Sequence, residues 1–245
     1  VCSSDLELMN LFANPEIDGI ICIRGGYGAY RILPFLDFDL LKANAKVFAG
    51  YSDVTALHIA FNQICKMVTY HTPMPATEFI HKEMDAYTWK SFMTAVTNDE
   101  SYLLKNPISK PIRAFVGGKE RGTLIGGNLS LIISSLVTPY EIDTENKILF
   151  LEDIDENPLR IDRMLTQLKL AKKFEHVRGI LLGSWKNCEG NIKGTTLQSV
   201  FEEKFSTFHV PVLMDLACGH SLPTMSLPLG KTIEIDADEK IIKVL

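Results

Sequence analysis

The sequence predicts an α/β protein built on parallel strands, because short apolar runs repeatedly end in a glycine turn and pass into segments of helical spacing. The first run, Asp18 to Ile23 (DGIICI), reads as a buried strand and ends in Arg24-Gly25-Gly26-Tyr27-Gly28. The second, Lys46 to Ala49, stops at Gly50 and is followed by Asp53 to Phe61, whose apolar positions recur at helical intervals. Periodicity then fades into Asn106-Pro107 and Lys110-Pro111. We therefore expect an N-terminal unit of residues 1–106, a linker over 107–120 and a smaller, strand-rich C-terminal unit of residues 121–245. The last begins with the strand Gly122 to Ile125, which opens on Gly126-Gly127-Asn128 and a helix to Leu136. Strand 147–151, helix 159–171, strand 179–182, helix 195–205, strand 210–214 and a hairpin over 232–244 follow.

The 245 residues, 46% of them hydrophobic, suffice for a sizeable core. A net charge of −5 with scattered Lys and Arg gives no footprint for nucleic acid or an acidic membrane, so a small molecule or peptide is the expected partner. Five widely spaced cysteines (Cys2, Cys22, Cys65, Cys188, Cys218) indicate neither a disulfide framework nor a zinc site and suit a reducing cytoplasm. No metal or cofactor is expected. Val1 to Leu6 reads as the translation of a common sequencing-adapter end, and Met is not the first residue. The expectation is a truncated gene fragment whose native start, with any targeting segment, is missing.

Four strand ends carry candidate chemistry. Gly50-Tyr51-Ser52-Asp53 lies at a strand-to-helix turn, where a serine side chain is thrust from the sheet edge towards free backbone N–H groups. The same residue types are also ordinary helix N-caps, and Val54 stands where a GxSxG elbow has its last glycine. The Arg24–Gly28 turn either presents N–H groups to an anion or is simply tight; it lacks both a Walker lysine and GxGxxG spacing. Glu152, Asp153, Asp155 and Glu156 close a buried apolar strand, where a carboxylate needs a partner; a solvated loop or an oxygen-rich metal site are the alternatives. His220, in Cys218-Gly219-His220, follows a strand. His58, His71 and His176 fit packed or solvated positions, and His81 and His209 have no distinctive neighbours. Ser52, Glu152 and His220 would together supply nucleophile, orienting acid and base.

Several motifs in order resemble the LD-carboxypeptidases, or muramoyltetrapeptide carboxypeptidases, and the related microcin C self-immunity peptidases. They are RGGYG (24–28), GYSDVTA (50–56), GTLIGGNL (122–129), LEDI (151–154), RIDRML (160–165) and Gly219-His220. The resemblance runs from about Leu6 to the C-terminus. It implies Ser52 as nucleophile, Glu152 as the acid holding the imidazole, His220 as general base and acid, and the N–H groups of Gly26 and Asp53 as oxyanion donors. It also implies a flavodoxin-like N-terminal domain carrying Ser52 and a C-terminal domain carrying the other two. The family normally has several tens of residues ahead of this start, including the opening strand of the sheet.

The implied reaction is release of terminal D-Ala from murein tetrapeptides during peptidoglycan recycling in the cytoplasm, and a homodimer is compatible with it. Asn128, Arg160 and Arg163 are candidate substrate contacts, although the arginines equally suit bridges to the acidic cluster. Two alternatives remain: a microcin-immunity type of peptidase, with Trp185 stacking on a nucleobase, and a non-catalytic anion-binding module.

Overall fold

The computed structural model describes residues 3–80 and 85–245. Its first half contains α1 (Ser3–Ala13), β1 (Gly19–Ile21), α2 (Ala29–Ile32), α3 (Phe38–Ala43), β2 (Val47–Gly50), α4 (Thr55–Ala60), β3 (Thr69–His71), α5 (Ala86–Thr97) and β4 (Tyr102–Leu104). The second half contains β5 (Arg113–Val116), β6 (Lys119–Asn128), α6 (Leu129–Ser135), β7 (Lys147–Ile154), α7 (Pro158–Leu170), β8 (Gly179–Lys186), α8 (Leu197–Phe205), β9 (Val212–Met214), β10 (Leu227–Leu229), β11 (Thr232–Asp236) and β12 (Ile241–Val244). Val1, Cys2 and His81 lie outside the described residues.

Two sheets result. The smaller has the order β1-β2-β3-β10, its first three strands parallel and β10 antiparallel to β3. Its core is aromatic: Phe12 of α1, Phe48 of β2 and Phe61 pack with ring centroids 4.9–6.1 Å apart. The larger has the order β4-β12-β11-β6-β7-β8-β9-β5, with β6 to β9 parallel and joined by α6, α7 and α8. β7 is buried on both faces, as an apolar run of this kind requires. Leu149 and Leu151 pack beneath the helices, while Ile148 and Phe150 pack on the opposite side with Leu227 and Leu229 of β10.

The segment 107–120 is not a free linker. Arg113–Val116 pairs antiparallel with β9, and Lys119 already belongs to β6. Membership of the sheets also crosses the expected boundary, since β4 joins the larger sheet and β10 returns to the smaller one. Proline at 107 and 111 interrupts the local pattern, but proline is tolerated beside an edge strand, and β5 is the last strand of its sheet.

The two sheets meet where α4 starts. A Cβ on Gly127, at φ 142°, would stand 2.6 Å from Thr55 Oγ1, so the glycine lets α4 lie directly on the end of β6. Thr55 Oγ1 accepts the Asn128 N–H there at 3.1 Å. That contact brings the turn after β2 beside the ends of β6 and β7.

Candidate active site

Ser52 follows β2 by two residues. Tyr51 is extended, at φ −154°, and Ser52 itself takes φ 65°, a left-handed conformation that a side chain enters at a cost of about 1 kcal/mol. One helical turn over Ser52–Val54 then runs into α4. Strain held at a strand-to-helix turn aims the serine away from the sheet, a geometry that an N-cap does not need. No side-chain cap bond forms at this turn.

The glycine loop lies against Ser52. A Cβ on Gly25 would be 2.8 Å from Ser52 Cβ and 3.0 Å from its Oγ. Asp53 Oδ2 accepts the Ala29 N–H at 2.9 Å and thereby fastens the loop to the start of the Ser52 turn. Among the described residues no acceptor takes the Gly26 N–H.

Glu152 is fully buried near the end of β7, and its Oε2 is 2.7 Å from His220 Nδ1. The approach depends on Gly219, at φ 126°, where a Cβ would come within 2.6 Å of both Glu152 Oε2 and Ser184 Oγ. Burial raises the Glu152 carboxyl, and the hydrogen bond from His220 offsets only part of that. For His220, burial is the largest single influence and acts downward, but the hydrogen bond to Glu152, its charge and those of Asp153 and Glu78 together act upward more strongly. The imidazole therefore lies above its ordinary value. The Tyr51 ring meets the imidazole edge-on at 4.7 Å. Tyr51 in turn donates to Glu78 Oε1 at 2.8 Å, and Glu78 Oε2 accepts the Met74 N–H at 2.9 Å.

Ser52 and His220 face a common cavity of about 380 Å³, walled by Gly25, Gly26 and Arg24 on one side and by Met74, Ala76 and Thr77 on the other. No hydrogen bond joins Ser52 to His220 in this structure. The His220–Glu152 hydrogen bond is formed, while Ser52 and His220 share the cavity without one, a geometry that does not exclude a catalytic contact.

The expected substrate contacts lie elsewhere. Asn128 is 3% exposed; its Oδ1 caps α6 through the Leu131 N–H and its amide donates to Asp153. Arg160 pairs with Glu156 at 2.8 Å, and Arg163 is exposed on α7, whose Ile161, Leu165 and Leu168 occupy the core. Trp185 is buried against Phe201 at 5.1 Å and borders a separate cavity of about 410 Å³. None of the four lines the Ser52 cavity. Arg24 and Tyr51, which do, carry no local signal beyond standing in the glycine loop and the serine turn, and Thr77, which also does, carries none.

His58 and His71 are both packed. His58 is buried between Thr69 and the Gly50 carbonyl, and burial brings it down to about 4; burial likewise holds His71 well below the usual imidazole range. Among the described residues no group of acids, histidines and cysteines is placed to hold a metal, and no helix is long and apolar enough to cross a membrane.

Comparison with known proteins agrees with this architecture. Residues 6–72 match the LD-carboxypeptidase N-terminal domain and residues 121–235 the LD-carboxypeptidase C-terminal domain. A probable murein peptide carboxypeptidase of Bacillus subtilis (strain 168) is 38% identical over 96% of this chain and 73% of its own length. The solved structure of the microcin C7 self-immunity protein MccF in complex with aspartyl sulfamoyl adenosine superposes with a TM-score of 0.90 at 29% identity, covering 98% of this chain and 79% of its own. The muramoyltetrapeptide carboxypeptidase of Oxalobacter formigenes gives 0.85 at 28% identity, covering 98% and 81%. Matched in both halves, and across nearly its whole length by a carboxypeptidase, this chain belongs to the LD-carboxypeptidase family.

Proposed function

We propose that the chain is a serine carboxypeptidase that releases D-alanine from murein tetrapeptides, with Ser52, His220 and Glu152 as its catalytic residues. The observation that carries this reading is a strained serine sharing one cavity with a histidine whose far nitrogen is held by a fully buried carboxylate. With Nδ1–H donating to Glu152, Nε2 is the free acceptor. It takes the Ser52 proton as Oγ attacks the carbonyl of the amide between an L-centre and the terminal D-alanine. The Gly26 N–H and that of Asp53, at the start of a helical turn, receive the oxyanion. His220 then gives its proton to the leaving amine, the C–N bond breaks, and an acyl ester remains on Ser52. Water attacks the ester, His220 takes the water proton and returns it to Oγ, and the acid departs.

The resemblance to MccF favours a second reading, hydrolysis of an aminoacyl-nucleotide amide. Trp185, the candidate base-stacking aromatic, packs in the core outside the cavity, which weighs against that reading. Measuring D-alanine release from murein tetrapeptide beside cleavage of aspartyl sulfamoyl adenosine separates the two. We expect kcat/KM to favour the tetrapeptide, and the reverse order would overturn the assignment.

Gly25→Ala tests the loop. Its methyl group would push against the Ser52 side chain, and a displacement of about 1 Å at a reacting atom costs on the order of 100-fold in rate. We expect kcat and fluorophosphonate labelling of Ser52 to fall together, with a thermal midpoint close to that of the unsubstituted protein.

A further inference from the structure

A carboxypeptidase must recognise the free carboxylate that marks the end of its substrate, and a guanidinium is well suited to do so by paired charge-assisted hydrogen bonds. We propose that Arg24 holds the terminal carboxylate of the leaving residue. This inference rests on the carboxypeptidase reading above and adds to it the group that sets where the peptide must end.

Four observations carry it. Among the described residues lining the Ser52–His220 cavity, Arg24 is the one with a permanent positive charge. Among the described residues it has no carboxylate partner: Nε donates to the Gly25 carbonyl at 3.2 Å, and no described acceptor takes the terminal nitrogens. Arg113, Arg121, Arg160 and Arg178 are each paired with an acid. Among the described residues, the cavity lining contains no carboxylate that would repel an anionic tail. Glu78 stands behind the wall, its oxygens occupied by Tyr51, Met74 and Thr77.

Reach is also right. Gly25 lies against the Ser52 side chain, and the Arg24 Cα is one peptide step, about 3.8 Å, from that of Gly25. In the substrate, three bonds separate the scissile carbonyl carbon from the carboxylate carbon of the leaving residue, a span of roughly 3–4 Å. A side chain of arginine length rooted beside Gly25 covers that span without moving the loop. The bond from Asp53 to Ala29 holds the far end of the loop, so the position of Arg24 is set relative to the nucleophile. Oxyanion and carboxylate would then be received by different donors, backbone N–H for the first and guanidinium for the second.

The test compares a tetrapeptide ending in D-alanine with the same peptide ending in D-alaninamide. The unsubstituted enzyme should prefer the free acid. In Arg24→Gln that preference, read as the ratio of kcat/KM values, should fall by about 10- to 100-fold, the usual worth of a hydrogen-bonded charge, with most of the change in KM. Arg24→Lys should recover part of the preference, since it keeps the charge but not the paired geometry. If Arg24→Gln loses the same factor on acid and amide, Arg24 is not the anchor. If the unsubstituted enzyme labels with fluorophosphonate yet releases neither D-alanine from the acid nor D-alaninamide from the amide, the carboxypeptidase reading itself fails and this inference fails with it.

Discussion

Ser52→Ala is expected to reduce D-alanine release by at least about 10,000-fold, because without Oγ there is no acyl-enzyme and only binding and oxyanion stabilisation remain. The fold should survive. Among the described residues Ser52 Oγ has no hydrogen-bond partner, so its removal leaves none of them unsatisfied. Alanine keeps the Cβ that rests against Gly25 and meets the same backbone conformation, φ 65°, at similar cost. A surface-like substitution of this kind changes stability by about 0.5 kcal/mol or less. The variant should therefore melt with the unsubstituted protein, bind tetrapeptide, resist fluorophosphonate and fail to turn over. Release within tenfold of the normal rate would remove Ser52 from the mechanism.

How much of this was legible before the structure depended on how local each signal is. β1, β2, β6, β7 and β8 announce themselves as apolar runs stopped by turn residues, and each of the four strand ends singled out for chemistry does contribute to one cavity or to the pair behind it. β3, β4, β5 and β10 were not legible. Each is three or four residues long and is stabilised by a partner far away in sequence, β5 by β9 and β10 by β3, so no local pattern could identify it.

The substrate-contact candidates show the same limit at the level of side chains. Arg160 and Arg163 are striking as charges in a motif, but α7 buries its apolar stripe and turns both towards solvent. Trp185 sits one strand away from Glu152, yet a shift of register between Leu151 and Asp153 leaves its ring in the helix-covered core. Arg24 was in plain view inside the glycine loop. Nothing local says that a cavity opens beside it, because the opposite wall comes from residues 74–77 and the floor from His220. Likewise Ser52 and His220 stand 168 positions apart, and only the family order of motifs linked them.

Glu152→Gln is the more discriminating large effect, since it separates a catalytic acid from a merely structural one. Replacing the acid of such a triad by its amide typically costs on the order of 1,000- to 10,000-fold in kcat, by losing both the charge and the tautomer it enforces. The pH profile should move as well. His220 accepts a proton only when neutral, so kcat/KM is lost as pH falls through its folded pKa. That pKa lies above the ordinary 6.5 because, although burial acts downward, the Glu152 hydrogen bond and charge together with the charges of Asp153 and Glu78 outweigh it. Glutamine removes the Glu152 charge and can accept only a neutral hydrogen bond, so burial is opposed by less, with Asp153 and Glu78 still acting upward, and the acid limb should shift to lower pH even as the plateau drops. Stability should change little by comparison, because burial already raises the Glu152 carboxyl and a neutral amide escapes that penalty. A variant that was simply damaged would lose plateau height and melting temperature without moving the limb. A limb that stays in place, or moves upward, would mean that His220 is not the base that Glu152 tunes, however close the two side chains lie.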